Sequence, residues 1–230
     1  MVAPMIAAQS LDHVALWVAD RDALAAFVCD HLGMHVIERS DEFTLVGADA
    51  LQGKLTLFSA QGPRQPGVLQ RVVLRVSDLG AALSRLPGDL SLEHADAVVR
   101  FQAPEGLGLG LTVAEGLDYD VDHVVLRVPD PDRTAGRLAA LGFSRRNGAL
   151  GVADKGVRLE AGGEGASGPP LLNHLGLLVD SAEEIRERAE EQGVEVARVV
   201  DAENTFAVFV QGPDRILIEY VEHKPGFSLV

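Results

Sequence analysis

Thiols, rings and positive charge are all scarce in this chain. Cys29 is the only cysteine, so neither a disulfide framework nor a thiolate metal cluster can form within one copy. Aromatic residues make up 5%, with one tryptophan, which weighs against a pocket dominated by stacking. Lys and Arg number 20 against 34 Asp and Glu, a formal net charge of −14. That balance argues against nucleic acid or an anionic membrane surface as a partner. It serves solubility, and it leaves carboxylates that could hold a cation. No run approaches the roughly 18 apolar residues of a membrane helix. The opening "MVAPMIAAQS" has neither the basic start nor the apolar stretch of a leader, so a cytoplasmic address is expected. With 230 residues and 47% hydrophobic content, the chain can build one large globular domain or two small ones.

What is present is a repeat. "LDHVALWVAD" from 11, "LQRVVLRVSD" from 69, "VDHVVLRVPD" from 121 and "LNHLGLLVDS" from 172 align on their third residues, His13, Arg71, His123 and His174. They recur at roughly fifty-residue intervals. One, three and five places later stand Val14, Leu16 and Val18, then Val72, Leu74 and Val76, Val124, Leu126 and Val128, and Leu175, Leu177 and Val179. This is one apolar strand face written four times. On the opposite face of the third copy lie His123, Val125 and Arg127. An arginine has no place in a dry core without a partner, so that face meets solvent or a polar concavity.

A helical pattern follows each strand. "RDALAAFVCDHLGM" carries Leu24, Phe27, Val28 and Leu32 at helical spacing. "PDRTAGRLAALGF" has Pro131 at its start and Gly142 as a stop, and "SAEEIRERAEEQGV" has Ser181 as N-cap and Gly193 as terminator. "DLGAALSRLPGD" is a shorter version. Strands such as "EFTLVG", "KLTLFSA", "GVRLEAG", "FAVFVQ" and "RILIEYV" come next. Each unit reads strand, helix, three strands, and is too small for a core of its own, so units should pair. Boundaries fall at 60–67, 114–120 and 162–170. The middle one suggests two halves, 1–116 and 117–230, of two units each.

The four first strands, with histidine in three of them, resemble the vicinal oxygen chelate superfamily, which includes glyoxalase I, methylmalonyl-CoA epimerase, type I extradiol dioxygenases and antibiotic-binding proteins. The resemblance implies an α+β fold of four βαβββ modules, paired into two glyoxalase-like domains with curved, mostly antiparallel sheets. It also implies metal ligands on first and last strands. Carried over by position, these are His123, His174 and Glu219, with Glu160 as a fourth candidate. Two histidines and a carboxylate suit a divalent ion with open positions. Ferrous iron is expected first, with manganese, zinc and nickel as alternatives. The partner is a small-molecule substrate, with no nucleic acid and no membrane, and a homo-oligomer is left open.

The first half departs from the pattern. Arg71 replaces a histidine, Phe58 and Gly110 stand where carboxylates would be needed, and His13 is read as structural. That half is expected to be a degenerate copy without metal, with Trp17 filling its vacant cup. The asymmetry, "LLNHLGLLVDS" and "FAVFVQGPDRILIEYV" favour an extradiol dioxygenase-like enzyme. The expected acid–base groups are missing, however. Phe209 stands at the tyrosine position, and Lys155 and Glu160 are the remaining catalytic candidates. Tyr220 lies on the face opposite Glu219. His31, His35, His94 and His223 are read as solvated. The alternatives are a glyoxalase- or epimerase-type isomerase or lyase, using Glu160 or Glu219 as base, and a non-enzymatic small-molecule (antibiotic) binding protein.

Overall fold

The structure is a computed structural model that describes residues 8–146, 149–162 and 168–225. The opening "MVAPMIAAQS" and the boundary at 162–170 therefore fall partly outside the described residues.

The four units appear as expected. The first is β1 (Ser10–Val18), α1 (Arg21–His31), β2 (His35–Arg39), β3 (Phe43–Gly47) and β4 (Lys54–Ser59). The second is β5 (Leu69–Val76), α2 (Leu79–Ser84), β6 (Glu93–Ala95), β7 (Val98–Gln102) and β8 (Gly108–Val113). The third is β9 (Val121–Val128), α3 (Pro131–Ala140), β10 (Ser144–Arg146), β11 (Ala149–Val152) and β12 (Lys155–Ala161). The fourth is β13 (Leu172–Leu178), α4 (Ala182–Glu191), β14 (Val196–Asp201), β15 (Thr205–Gln211) and β16 (Leu217–His223). Each helix opens on a side-chain cap. Asp20, Asp78, Asp130 and Ser181 accept from the backbone N–H three residues on, at 2.9, 2.9, 3.0 and 3.2 Å. At the far end of α4 Gly193 has φ +66°, a left-handed stop that favours glycine.

The pairing of units differs from the expected halves. One eight-stranded sheet runs β14-β15-β16-β13-β1-β4-β3-β2, and the other β10-β11-β12-β9-β5-β8-β7-β6. The first sheet thus joins units one and four, and the second joins units two and three. The division at 116 does not separate the sheets. The reason lies in the connections. Residues 114–120 close over the end of β5, where Tyr119 N–H donates to Arg75 O at 2.7 Å and Arg75 N–H to Asp120 O at 2.9 Å. This keeps units two and three in one sheet. The two crossings between sheets lie side by side, Gln65 N–H donating to Pro169 O at 3.0 Å and Leu171 N–H to Gln65 O at 2.7 Å.

In each sheet the two first strands run antiparallel at the centre, β1 on β13 and β5 on β9, and each is flanked by its own last strand in parallel. The repeated apolar face packs with Leu24, Val28, Leu138 and Ile185 of the helices in a continuous buried cluster. Tyr220 is fully buried there, its hydroxyl donating to Leu141 O at 2.8 Å. The opposite face carries His13, Arg71, His123 and His174. No helix among the described residues is long and apolar enough to cross a membrane.

A fragment of residues 1–116 would carry β1 and β5 without their central partners β13 and β9. Expressed alone it should show no cooperative unfolding by circular dichroism in urea. A sharp transition from this fragment would contradict the pairing described here.

Candidate metal centre

Every first strand contains one residue more than its partner allows. The register skips between Leu11 and His13, between Leu69 and Arg71, between Val121 and His123, and between Leu172 and His174. The residues passed over are Asp12, Gln70, Asp122 and Asn173. A bulge of this kind re-aims neighbouring side chains. It brings Asp12 beside His13, Asp122 beside His123 and Asn173 beside His174. The His13 Nδ1–H donates to Asp12 Oδ2 at 2.8 Å, and the His174 Nδ1–H to Asn173 Oδ1 at 3.0 Å. With Nδ1 committed as donor, Nε2 of each ring presents its lone pair elsewhere.

Those lone pairs meet at one place. His13 Nε2 and His174 Nε2 are 2.9 Å apart, and Glu219 Oε2 lies 2.9 and 2.8 Å from them. Glu219 Oε2 is buried without a hydrogen bond. Without an ion a proton on His13 holds the three atoms together, and a cation in its place would meet a lone pair from each of them. Two ligand atoms each about 2.1 Å from an ion and at right angles lie about 3 Å apart. The triangle matches one face of an octahedron, the arrangement of a two-histidine, one-carboxylate site with open positions. The donor set thus fits a divalent metal ion.

The surroundings deepen the negative field. Asp12 is buried and pairs through Oδ1 with Lys54 Nζ at 2.8 Å. Burial alone would raise the Asp12 carboxyl, but Lys54 and His13 outweigh it and hold it at about 2. Burial opposes the charge on His13, yet Glu219 and Asp12 push its pKa up to about 9. For Glu219 burial is again outweighed, chiefly by His13, and its carboxyl sits well below the usual range. His174 is lowered, by burial first and by the charge of His13 among the rest. The buried carboxylates that favour a proton on His13 would equally favour a divalent cation in its place.

His174 and Glu219 are thus brought together as expected, and His123 is not with them. It lies in the other sheet, opposite Val73 and Gly156, with its Nδ1–H on Asp122 at 2.6 Å. His13, read as structural from its isolation in the first half, takes the expected place of His123. The cause is the pairing of unit one with unit four. Glu160 is likewise on the second sheet, where Arg127 donates to it at 3.4 Å. The register also shows that Glu160 is not the counterpart of Glu219. Glu219 pairs with Gly176, two residues after His174, and the residue so paired after His123 is Arg158, opposite Val125. By the same reckoning Thr56, not Phe58, is the counterpart on β4, being paired with Ala15. Lys155 is buried in the second sheet and bound to Asp120 at 2.6 Å, a structural ion pair away from the triangle.

Three features were missed from sequence. Gly176 faces His13 so closely that a Cβ there would stand 2.2 Å from the ring carbon Cε1. His223, read as solvated, lies on the site face of β16 with Nε2 3.7 Å from Asp12 Oδ1. Aromatic residues, few overall, gather here. Phe209 stands edge-on to His174 at 5.1 Å between centroids, Phe58 is 6.1 Å from it, and Trp17 and Phe43 flank Phe58 at 5.5 and 5.7 Å. Trp17 therefore packs on Phe58, which stands beside the centre, rather than filling a vacant cup. Strand alternation on β1 and β4, read across the correct partner, would have revealed this wall.

Two mixed sheets built from strand–helix–three-strand units, with a His/His/Glu triangle across two paired first strands and a last strand, define a glyoxalase-like fold with a candidate metal centre. Residues 10–89 match the family described as the Glyoxalase/Bleomycin resistance protein/Dioxygenase superfamily. A candidate dioxygenase from Bacillus subtilis superposes with a TM-score of 0.80 at 18% identity, covering 98% of this chain and 88% of that one. Glyoxalase I from Zea mays gives 0.71 at 17%, covering 93% and 92%. The cppA protein of Streptococcus pneumoniae gives 0.62 at 15%, covering 96% and 100%. No curated protein matches the sequence.

His13→Ala and His174→Ala should each abolish stoichiometric metal binding measured by elemental analysis after dialysis, whereas His123→Ala should leave it intact. Gly176→Ala should displace the His13 ring and weaken the metal by about 10–100-fold, the usual scale for groups that position ligands. Retention of metal by His13→Ala would refute the triangle. For Lys155→Met, the bare Asp120 charge should cost about 3–5 kcal/mol in urea unfolding. Metal content should not change, and a loss of metal with unaltered stability would return Lys155 to the site.

Proposed function

We propose that the protein is a metal-dependent enzyme of the extradiol dioxygenase type, binding one divalent ion on His13, His174 and Glu219 and taking a small substrate through two adjacent oxygens. The observation that carries this reading is the three-membered ligand set. The strand position that mirrors Glu219 holds Thr56, whose hydroxyl is not an anionic ligand, so coordination positions stay free for substrate. A divalent ion there, ferrous iron first, supplies Lewis acidity and those vacant positions. Phe209, Phe58 and Trp17 exclude water beside the centre and offer flat walls to a planar substrate. His223, on the same face as Glu219, is suited to carry a proton at Nε2. The description of the Bacillus subtilis neighbour agrees with this reading. That of the maize neighbour points to isomerisation, but that alternative drew its support here from Glu160 as a fourth ligand, and Glu160 lies in the other sheet.

Oxygen uptake tests the proposal. Protein loaded anaerobically with ferrous iron should consume oxygen with at least one simple catechol and yield a yellow ring-opened product. Glu219→Gln should abolish the activity, and Glu160→Gln should leave it unchanged. His223→Gln should lower kcat on the order of 10²-fold, the scale of a positioned acid–base group. Isomerisation of a glutathione hemithioacetal without oxygen uptake would replace this reading with the isomerase one.

A further inference from the structure

The second sheet repeats the geometry of the first with the charge reversed. The register that brings His13, His174 and Glu219 together sets Arg71, His123 and Arg158 at the matching positions. Arg100 pairs across strands with Gly110, and the Arg71 stem also lies over Gly110, its Cδ 3.3 Å from where a Cβ would stand. Arg127 lies two residues beyond Val125, the partner of Arg71. Arg71, Arg100, Arg127 and Arg158 therefore share one face, in a chain whose net charge is −14.

The charges there are incompletely matched. Arg71 is half-buried and makes no hydrogen bond or ion pair with any described residue. Its own burial, then Arg100 and Arg127, disfavour its charge, and Glu160 and Glu93 offset them only in part. Arg100 has a buried Nε without a hydrogen-bond partner, and Glu93 and Asp96 stand 3.8 and 3.9 Å from its terminal nitrogens, beyond hydrogen-bond reach. Only Arg127 has a closer carboxylate, Glu160. Arg75, further along the face, is already occupied by Asp154 at 2.8 Å. Holding guanidinium groups together with unmade hydrogen bonds is unfavourable, and an oxyanion would relieve both costs at once.

We propose that this face binds a small oxyanion, the phosphate or carboxylate group of a metabolite, with Arg71 at its centre and Arg100 and Arg127 beside it. Forked guanidinium donors match the oxygens of either group. The site is separate from the His/His/Glu triangle and does not depend on metal.

Titration calorimetry of the full chain at low salt, with inorganic phosphate and separately with citrate, tests this. At least one should bind with a Kd below about 1 mM and raise the melting temperature. Whichever binds more tightly names the group. Arg71→Gln should weaken that binding at least tenfold, and Arg100→Lys, which keeps charge but loses the fork, should weaken it several-fold. Arg137→Gln, on the exposed side of α3, should leave it unchanged, and none of the three should alter metal content. Absence of binding by either anion at about 10 mM, or equal losses from Arg71→Gln and Arg137→Gln, would overturn the proposal. A dimer that dissociates in Arg71→Gln without anion binding would also overturn it, by showing that the face meets another copy.

Discussion

The residue inserted before each register position holds the functional side chains where they are. Asp12 shows why. As the extra residue of β1 it shares the site face with His13 instead of alternating away from it, and there it meets both His13 and Lys54. A buried carboxylate carries a desolvation cost of several kcal/mol, which only close partners offset. With Lys54 on one oxygen and the imidazole N–H on the other, Asp12 fixes the tautomer of His13 and the direction of its free nitrogen. Asn173 does the same for His174 without a charge. The triangle with Glu219 thus depends on two bulges, each of which would be a defect if the strand had only to pair.

The two sheets show how little of a scaffold's chemistry belongs to the scaffold. Their strand orders and the bulges of their first strands correspond one for one. Gly176 clears space for an imidazole in one sheet, and Gly110 clears space in the other for Val98 first and then for the Arg71 stem. A single substitution could not convert the second face to a metal centre. Placing histidine at Arg71 would still leave Arg158 where the carboxylate is needed.

Much of this was legible in the chain. The shared register of His13, Arg71, His123 and His174 located the first strands, and alternation placed Glu219 and Tyr220 on opposite faces. The N-cap at Ser181 and the stop at Gly193 follow from local backbone chemistry alone. What could not be read was which first strand sits beside which. Four strands with the same apolar face pair equally well in principle, and each of the segments at 60–67, 114–120 and 162–170 is long enough to carry the chain from one sheet to the other. Only their paths show that the middle one stays within a sheet. From that one ambiguity came the choice of His123 over His13. The misplacement of Glu160 had another origin. A two-residue slip preserves the face of a strand, so alternation does not detect it, whereas the ladder from Val125 to Arg158 does.

The same distinction explains the aromatic residues. A content of 5% describes an average over 230 residues, and binding depends on local density. Trp17, Phe58 and Phe43 lie on three adjacent strands at matching register, and Phe209 pairs with Glu219 itself. Phe209 and Phe58 therefore stand against the centre, with Trp17 and Phe43 packed on Phe58. The Arg198 guanidinium lies 4.1 Å over the Phe209 ring, and Arg64 lies 5.7 Å from the Trp17 ring. Phe209 and Trp17 thus each have a cation against or near the ring. A planar anionic molecule would gain contact from the rings and attraction from the guanidinium groups, while a bulky neutral one would gain only the first.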